Sequence, residues 1–376
     1  MSRTRASFIR FACLWLAALA AGPGTACGNP ALAPDSSDGG STCDGDCAPC
    51  SSTGSGGTIS YLIRDTGTVN GGTQVRIIGT SFSPGDCVVF GGVPASQVTF
   101  VGPTELGAVT PPHAAGDHDV TVVQQNGAGP TLVGGFDYEP APTSFHVQAD
   151  FEDGSLGGWR ATGGAAVSTE ATHSGSRAIK CAVTGTASNS ALAFAYANPV
   201  NPAASSPTGV YLRWFVMLPQ STLSSLASGQ VKLHLERDVS NVQSPERAGW
   251  FMLGAGPQFR GPNAFTAFGD FGIFNIDGRY LGVPFTNGDT SYRLEPDVWV
   301  EVQTWYRYVN GVGSVKLWLD GSRAISTSSS ALGELFGSGD LTAQYEPRIG
   351  IVYRQATAGD LTVYLDDTAL ADGYVE

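Results

Sequence analysis

At 376 residues the chain is too long for one average domain and suits two after processing. Fifty glycines and 22 prolines with only 14% charged residues describe short strands joined by tight turns, with no long amphipathic helix. A net charge of −13 argues against nucleic acid as a partner, because phosphates need a basic patch.

The first 26 residues read as an export signal. Arg3, Arg5 and Arg10 precede FACLWLAALAA (11–21), an apolar run too short to span a bilayer permanently and long enough for a signal core. The run leads into GPGTAC, which resembles a bacterial lipoprotein signal. That resemblance implies acylation of Cys27, membrane attachment through the lipid, and an outer-membrane or cell-surface location. Gly24 departs from it, standing where the family usually carries leucine. Ordinary cleavage after Ala26 is the alternative and gives a secreted protein.

Residues 27–57 are small and polar, without apolar periodicity, and read as a flexible tether. CDGDCAPC (43–50) offers three sulfurs and no nearby histidine, so a local disulfide suits it better than a four-ligand zinc site. With Cys13 removed and Cys27 acylated, Cys43, Cys47, Cys50, Cys87 and Cys181 remain, an odd number.

Residues 58–140 alternate apolar and polar positions in short runs, about seven strands, as in a small immunoglobulin-like sandwich. Asn126-Gly127 is a hairpin-type turn, and Phe82, Phe90 and Phe136 are candidate core residues. His113 and His118 are loop residues, read as solvated rather than as metal ligands. NGGT (70–73), GTSF (79–82), VFGGVPA (89–95), TPP (110–112), VTVV (120–123) and FDY (136–138) occur in order. Together they resemble the IPT/TIG domain, which implies a spacer or binding module without chemistry of its own. EPAPTS (139–144), with 141–144 as the connecting piece, breaks strand and helix patterns and acts as a linker.

Residues 145–376 also read as all-β. In VYLRWFVML (210–218) Val210, Leu212, Trp214, Val216 and Leu218 share one face, and Tyr211, Arg213, Phe215 and Met217 the other. VKLHLE (231–236) sets Val231, Leu233 and Leu235 against Lys232, His234 and Glu236. VWVEVQTWYRY (298–308) sets Val298, Val300 and Val302 against Glu301, Gln303, Trp305 and Arg307. TLSSLAS (222–228) and SALGELF (330–336) suggest short helical turns. WVEVQTWYRYVNGVGSVKLWLDG (299–321) resembles the paired strands of laminin-G and concanavalin A-like jelly rolls. YEPRIGIVYRQ (345–355) and LTVYLDDTAL (361–370) are similar to the closing strands of polysaccharide-lyase-like members. FEDGSLGGW and THSGSRAIK (172–180) resemble the start of carbohydrate-binding jelly rolls. The expected fold is therefore all-β, a small immunoglobulin-like sandwich followed by a larger concanavalin A-like jelly roll.

The polar faces of these strands suggest a groove in which Arg213, Lys232, His234, Glu236, Gln303, Trp305 and Arg307 converge. Hydrogen-bonding side chains beside a flat aromatic suit a sugar, and the cations favour an acidic polysaccharide. Exposure to solvent on a convex face is the alternative. The lyase resemblance implies His234 as base, Tyr345 or Tyr353 as the tyrosine, and Arg213 or Arg348 as the arginine that neutralises a uronate. SRAIK lacks the glutamate of that family's Arg-x-Glu-Leu pattern, and lysine stands where glutamine usually precedes the histidine. Strings for glucanases, serine hydrolases, phosphate loops and zinc proteases are absent from the sequence.

DFEDGSLGGW (150–159) crowds carboxylates near a domain boundary. If first and last strands lie side by side, Asp150, Glu152, Asp366 and Asp367 meet, and a structural Ca²⁺ would neutralise them. Acids at strand ends in solvent are the alternative. Trp159 is then packing rather than a sugar platform. The first expectation for function is noncatalytic polysaccharide binding on an exported protein with the IPT/TIG domain as spacer. A polysaccharide lyase and a protein-binding adhesin are the alternatives.

Overall fold

The computed structural model describes residues 56–376, apart from 126, 128, 186–191, 201–208, 226–230, 239–248, 256–270, 275–279, 284–294, 331–344 and 355–358. The export signal, Cys27, the tether up to residue 55, the Cys43–Cys50 cluster and all but Ser330 of the helical turn expected at 330–336 lie outside the described residues.

The chain opens with β1 (Thr58–Ile63), β2 (Thr66–Thr68), β3 (Gln74–Thr80), β4 (Cys87–Phe90), β5 (Val93–Pro94), β6 (Gln97–Gly102), β7 (Glu105–Val109), β8 (Gly116–Val123) and β9 (Thr131–Glu139). They form two facing sheets, ordered β1-β3-β7-β6 and β2-β9-β8-β4-β5. Alternation places Val75, Ile77, Val88, Phe90, Val120 and Val122 inward, where Phe82 and Phe136 complete a core of their own. Phe90 and Phe136 meet edge to face with centroids 5.4 Å apart. The expected immunoglobulin-like sandwich is present.

The second sandwich begins with β10 (Phe145–Ala149), β11 (Arg160–Gly163), β12 (Ala165–Ser168), β13 (Ala178–Val183), β14 (Ala193–Tyr196) and β15 (Val210–Met217). A short helix α1 (Gln220–Ser225), where TLSSLAS begins, precedes β16 (Val231–Asp238), β17 (Gly249–Ala255), β18 (Phe271–Phe274) and β19 (Tyr280–Val283). β20 (Trp299–Val309), β21 (Val312–Leu319), β22 (Ser322–Ser329), β23 (Tyr345–Arg354) and β24 (Leu361–Ala371) complete it. An eight-stranded sheet runs β12-β13-β24-β15-β20-β21-β22 with β10 also on β24, and a five-stranded sheet runs β11-β14-β23-β16-β17. Val210, Leu212, Trp214 and Val216 of β15 pack with Val300 and Val302 of β20 and with Ile349 and Ile351 of β23 in one core. Val298 precedes β20 and is exposed, whereas Tyr306 continues the inner face. Trp159 is buried in the same core, as its packing role required.

β24 has two successive partners on one edge. β13 pairs with it over residues 361–365 and β10 over 368–371, so the first and last strands of this domain do lie together. At the changeover one residue of β15, Trp214 between Arg213 and Phe215, opposes two of β24, Asp367 and Thr368 between Asp366 and Ala369. This bulge puts Asp367 at φ 45° and lets both Leu365 and Leu370 face the core.

Candidate functional site

The seven residues expected in one groove occupy two different sheets. Arg213 lies on β15 and Gln303, Trp305 and Arg307 on β20, in the eight-stranded sheet. Lys232, His234 and Glu236 lie on β16, in the five-stranded sheet. The core separates the two groups, which corrects the expectation of a shared groove. Period-two alternation tells which side chains face away from the core but not which sheet a strand enters.

The outer face of the eight-stranded sheet is the docking surface of the first domain. Arg64 donates to Glu301 Oε2 at 2.7 Å, and Arg213 donates to Glu301 Oε1 at 2.9 Å. Lys316 meets Asp137 at 3.0 Å and also pairs with Glu139, which accepts the Tyr211 hydroxyl at 2.7 Å. Arg323 Nη1 reaches Asp117 and Asp137, each at 2.8 Å, while its backbone N–H donates to Asp65 at 2.7 Å. Burial opposes the Lys316 charge, yet Glu139 and Asp137 hold its pKa above the usual lysine value. Burial likewise opposes ionised Asp137, but Lys316 and Arg323 hold it below the usual carboxylate range. Tyr211, Trp318 and Tyr374 form a small apolar cluster inside this polar frame, with Trp305 against it. Gln303 is buried and accepts the Val375 N–H at 3.2 Å, and Arg307 is half-buried. The chain after β24 joins in: Glu376 accepts the Thr68 N–H at 2.9 Å and pairs with the Thr73 hydroxyl. The 141–144 linker is pinned rather than loose, with Asp372 accepting the Thr143 and Ser144 N–H groups at 2.7 and 2.9 Å.

The five-stranded sheet turns a different chemistry outward. On β14, Ala193 and Ala195 enter the core, so Phe194 and Tyr196 face away from it. Arg160 of β11 opposes Tyr196, with its guanidinium carbon 4.8 Å from the ring centroid, and donates to Asn198 at 2.9 Å. Arg348 of β23 lies 4.8 Å over Phe194 and donates to Glu346 at 2.8 Å. On the neighbouring strand His234 pairs in register with Ile349, Lys232 with Tyr353, and Asp238 with Tyr345. The sheet therefore gathers four of the five residues named for a lyase and leaves Arg213 on the other sheet. Sequence reading missed Arg160, Phe194 and Tyr196. Their signal was the alternation of alanine with aromatics in AFAY (193–196).

Asp150, Glu152, Asp366 and Asp367 lie near the seam but spend their oxygens on the chain. Glu152 accepts the Ser176 and Arg177 N–H groups at 2.9 and 2.8 Å, and Asp150 accepts the Glu152 N–H at 3.2 Å. Asp366 accepts the His173 N–H at 2.8 Å, and Asp367 faces His173 Nδ1 at 2.6 Å and accepts the Ser174 hydroxyl at 3.0 Å. Burial pushes Asp366 up to about 6. Burial acts the same way on Asp367, but its bonds from His173 and Ser174 prevail and hold it below the usual range. Among the described residues no three His, Cys, Asp or Glu side chains are grouped to hold a metal ion. Glu152, Asp366 and Asp367 fasten the 172–177 loop, and Asp150 bonds the backbone of Glu152.

Residues 58–138 match the family model of the IPT/TIG domain. No curated protein matches the chain. Among solved structures, the extracellular region of plexin A4 is 29% identical over 22% of this chain and 8% of its own, with a TM-score of 0.19. SGBP-B from a complex xyloglucan utilization locus in Bacteroides uniformis is 11% identical over 84% of this chain and 72% of its own, with a TM-score of 0.31. Lectin II from Ulex europaeus is 13% identical over 62% of this chain and all of its own, with a TM-score of 0.35. The chain thus carries an IPT/TIG domain at residues 58–138, followed by a larger jelly-roll β-sandwich.

Proposed function

We propose that the jelly-roll domain binds polysaccharide without chemistry, on the outer face of its five-stranded sheet. The observation that carries this is the docking of the IPT/TIG domain on the opposite sheet, so that among the described residues this domain does not cover the five-stranded face. On that face half-buried Tyr196 lies under Arg160, while Phe194, under Arg348, is buried and backs the site. Aromatic rings suit the apolar side of a pyranose, and guanidinium groups suit its hydroxyls or carboxylates. Arg160 meets a neutral acceptor, Asn198, and keeps its charge for an acidic sugar. In this reading the IPT/TIG domain is a fixed base rather than a loose spacer. Export, a lipid anchor at Cys27 and a tether to residue 57 place the pair at a bacterial cell surface, a reading supported by the sequence alone. Electrophoresis through gels containing alginate, pectin, glucuronan or xyloglucan tests it. Retardation by at least one polysaccharide, relieved by Arg160→Ala with Tyr196→Ala, supports it, and unchanged mobility in all four refutes it.

A second reading is a uronate-directed polysaccharide lyase, favoured by the pairing of the His234 strand with the Tyr345, Arg348 and Tyr353 strand. It requires an unsaturated, ultraviolet-absorbing product from alginate, glucuronan or pectin that disappears in His234→Ala. Absence of that product leaves binding as the function.

A further inference from the structure

The loop at 172–177 presents a group that the five-stranded face does not use. His173 stacks on Phe215 with centroids 3.6 Å apart and planes 16° from parallel. Trp299 stands beside it at 5.9 Å, its plane 69° from the imidazole. An imidazole floor and an indole wall thus make a corner on the eight-stranded sheet. Phe215 is four residues along β15 from Tyr211, which lies under Glu139, so the corner is about 13 Å from that contact. His173 is exposed, and Phe215 and Trp299 are half-buried.

The floor is held rigidly. Asp366 accepts the backbone N–H of both His173 and Ser174, Asp367 holds Nδ1 at 2.6 Å, and Glu152 fixes the far end of the loop. Asp367 keeps its left-handed φ of 45° within the bulge, a strain that persists only where surrounding bonds over-determine it. A site ordered before its ligand arrives loses less freedom on binding.

With Nδ1 engaged by Asp367, Nε2 is the ring nitrogen presented to a ligand. Arg213, 4.7 Å from the Phe215 centroid, is already paired with Glu301. Asp366 and Asp367 hold the imidazole and its backbone, so among the described residues the corner offers carboxylates and an already paired Arg213, and repels a polyanion. A flat apolar corner with one directed nitrogen matches the C–H face and a hydroxyl of an uncharged pyranose.

We infer that His173 and Trp299 form a second saccharide subsite, selective for neutral sugars and separate from the five-stranded face. The test uses the full chain with isotope-labelled histidine, whose five imidazoles give few NMR signals. His173→Gln assigns the relevant one. Cellohexaose, galactan and mannan oligosaccharides, and oligoalginate are titrated in turn to millimolar concentration. The expected result is a saturable shift of the His173 signal with at least one neutral oligosaccharide and none with oligoalginate. Affinity should fall about tenfold in Trp299→Phe, the size of one lost ring or hydrogen-bond contact. The response should persist in Arg160→Ala/Tyr196→Ala, which separates this subsite from the first. A His173 signal unmoved by every neutral sugar, or moved only by oligoalginate, overturns the inference.

Discussion

The Trp318 indole N–H donates to the Thr66 hydroxyl across 3.0 Å, from the jelly roll into the IPT/TIG domain. Both side chains are fully buried. A buried indole needs such an acceptor, so the two domains complete each other's hydrogen bonding. These contacts set the direction in which the five-stranded face points.

Lys316 is the charged centre of that junction, between Asp137 and Glu139. Lys316→Ala removes the cation and leaves two buried carboxylates together. The expected cost is about 3 kcal/mol in urea unfolding, as for other half-removed buried pairs. Lys316→Met combined with Asp137→Asn and Glu139→Gln should recover most of it. A loss below about 1 kcal/mol for the single change would mark the pair as an ordinary surface contact.

Asp366 gives the fold a pH signature. Burial raises its pKa to about 6, above the unfolded value, so folding favours its protonated form. Its contribution is most favourable below the unfolded pKa and declines as pH rises through about 6. Asp366→Asn removes that decline while keeping an acceptor for the His173 and Ser174 N–H groups. Relative to the parent, the variant should gain stability between pH 4.5 and 7.5, read as melting temperature. An equal difference at both pH values would contradict the burial argument.

Gly350 on β23 has φ 113°, and a Cβ there would stand 2.8 Å from Cys181 Sγ and 2.9 Å from the Ala193 carbonyl oxygen. Gly350→Ala should therefore destabilise by about 3 kcal/mol, strain and overpacking together. Chemical denaturation checks it, and a neutral substitution would mean that the two sheets can separate at little cost. Cys181 itself is buried, with its thiol pushed up to about 12, and should resist iodoacetamide until the domain unfolds.

Much of this fold was legible because side-chain alternation and burial are local. The inner face of β15 follows directly from VYLRWFVML, and six short pieces spelled out the IPT/TIG domain. Sheet membership was not legible, since pairing is a long-range matter and β15 and β16 are consecutive strands in different sheets. Arg213 and His234 were therefore expected together and are found on opposite sides of the core. The polar face of β20 suggested a groove, yet Glu301 serves the domain junction and Gln303 holds the Val375 N–H of the segment after β24. Interface residues and ligand residues share one composition, and only the docked domain distinguishes them. At the seam the approach of DFE to LDD was legible, but the N–H groups of the 172–177 loop, which take the charge, were not.

The central claim is that polysaccharide binds the outer face of the five-stranded sheet. Isothermal titration calorimetry of the full chain against alginate and xyloglucan, with Arg160→Ala/Tyr196→Ala as comparison, tests it most directly. The expected result is saturable binding to at least one of them, weakened by about a hundredfold in the double variant while its melting temperature holds, because two central contacts are lost. Equal affinity in the double variant, or no heat from either polysaccharide with the parent chain, would contradict it.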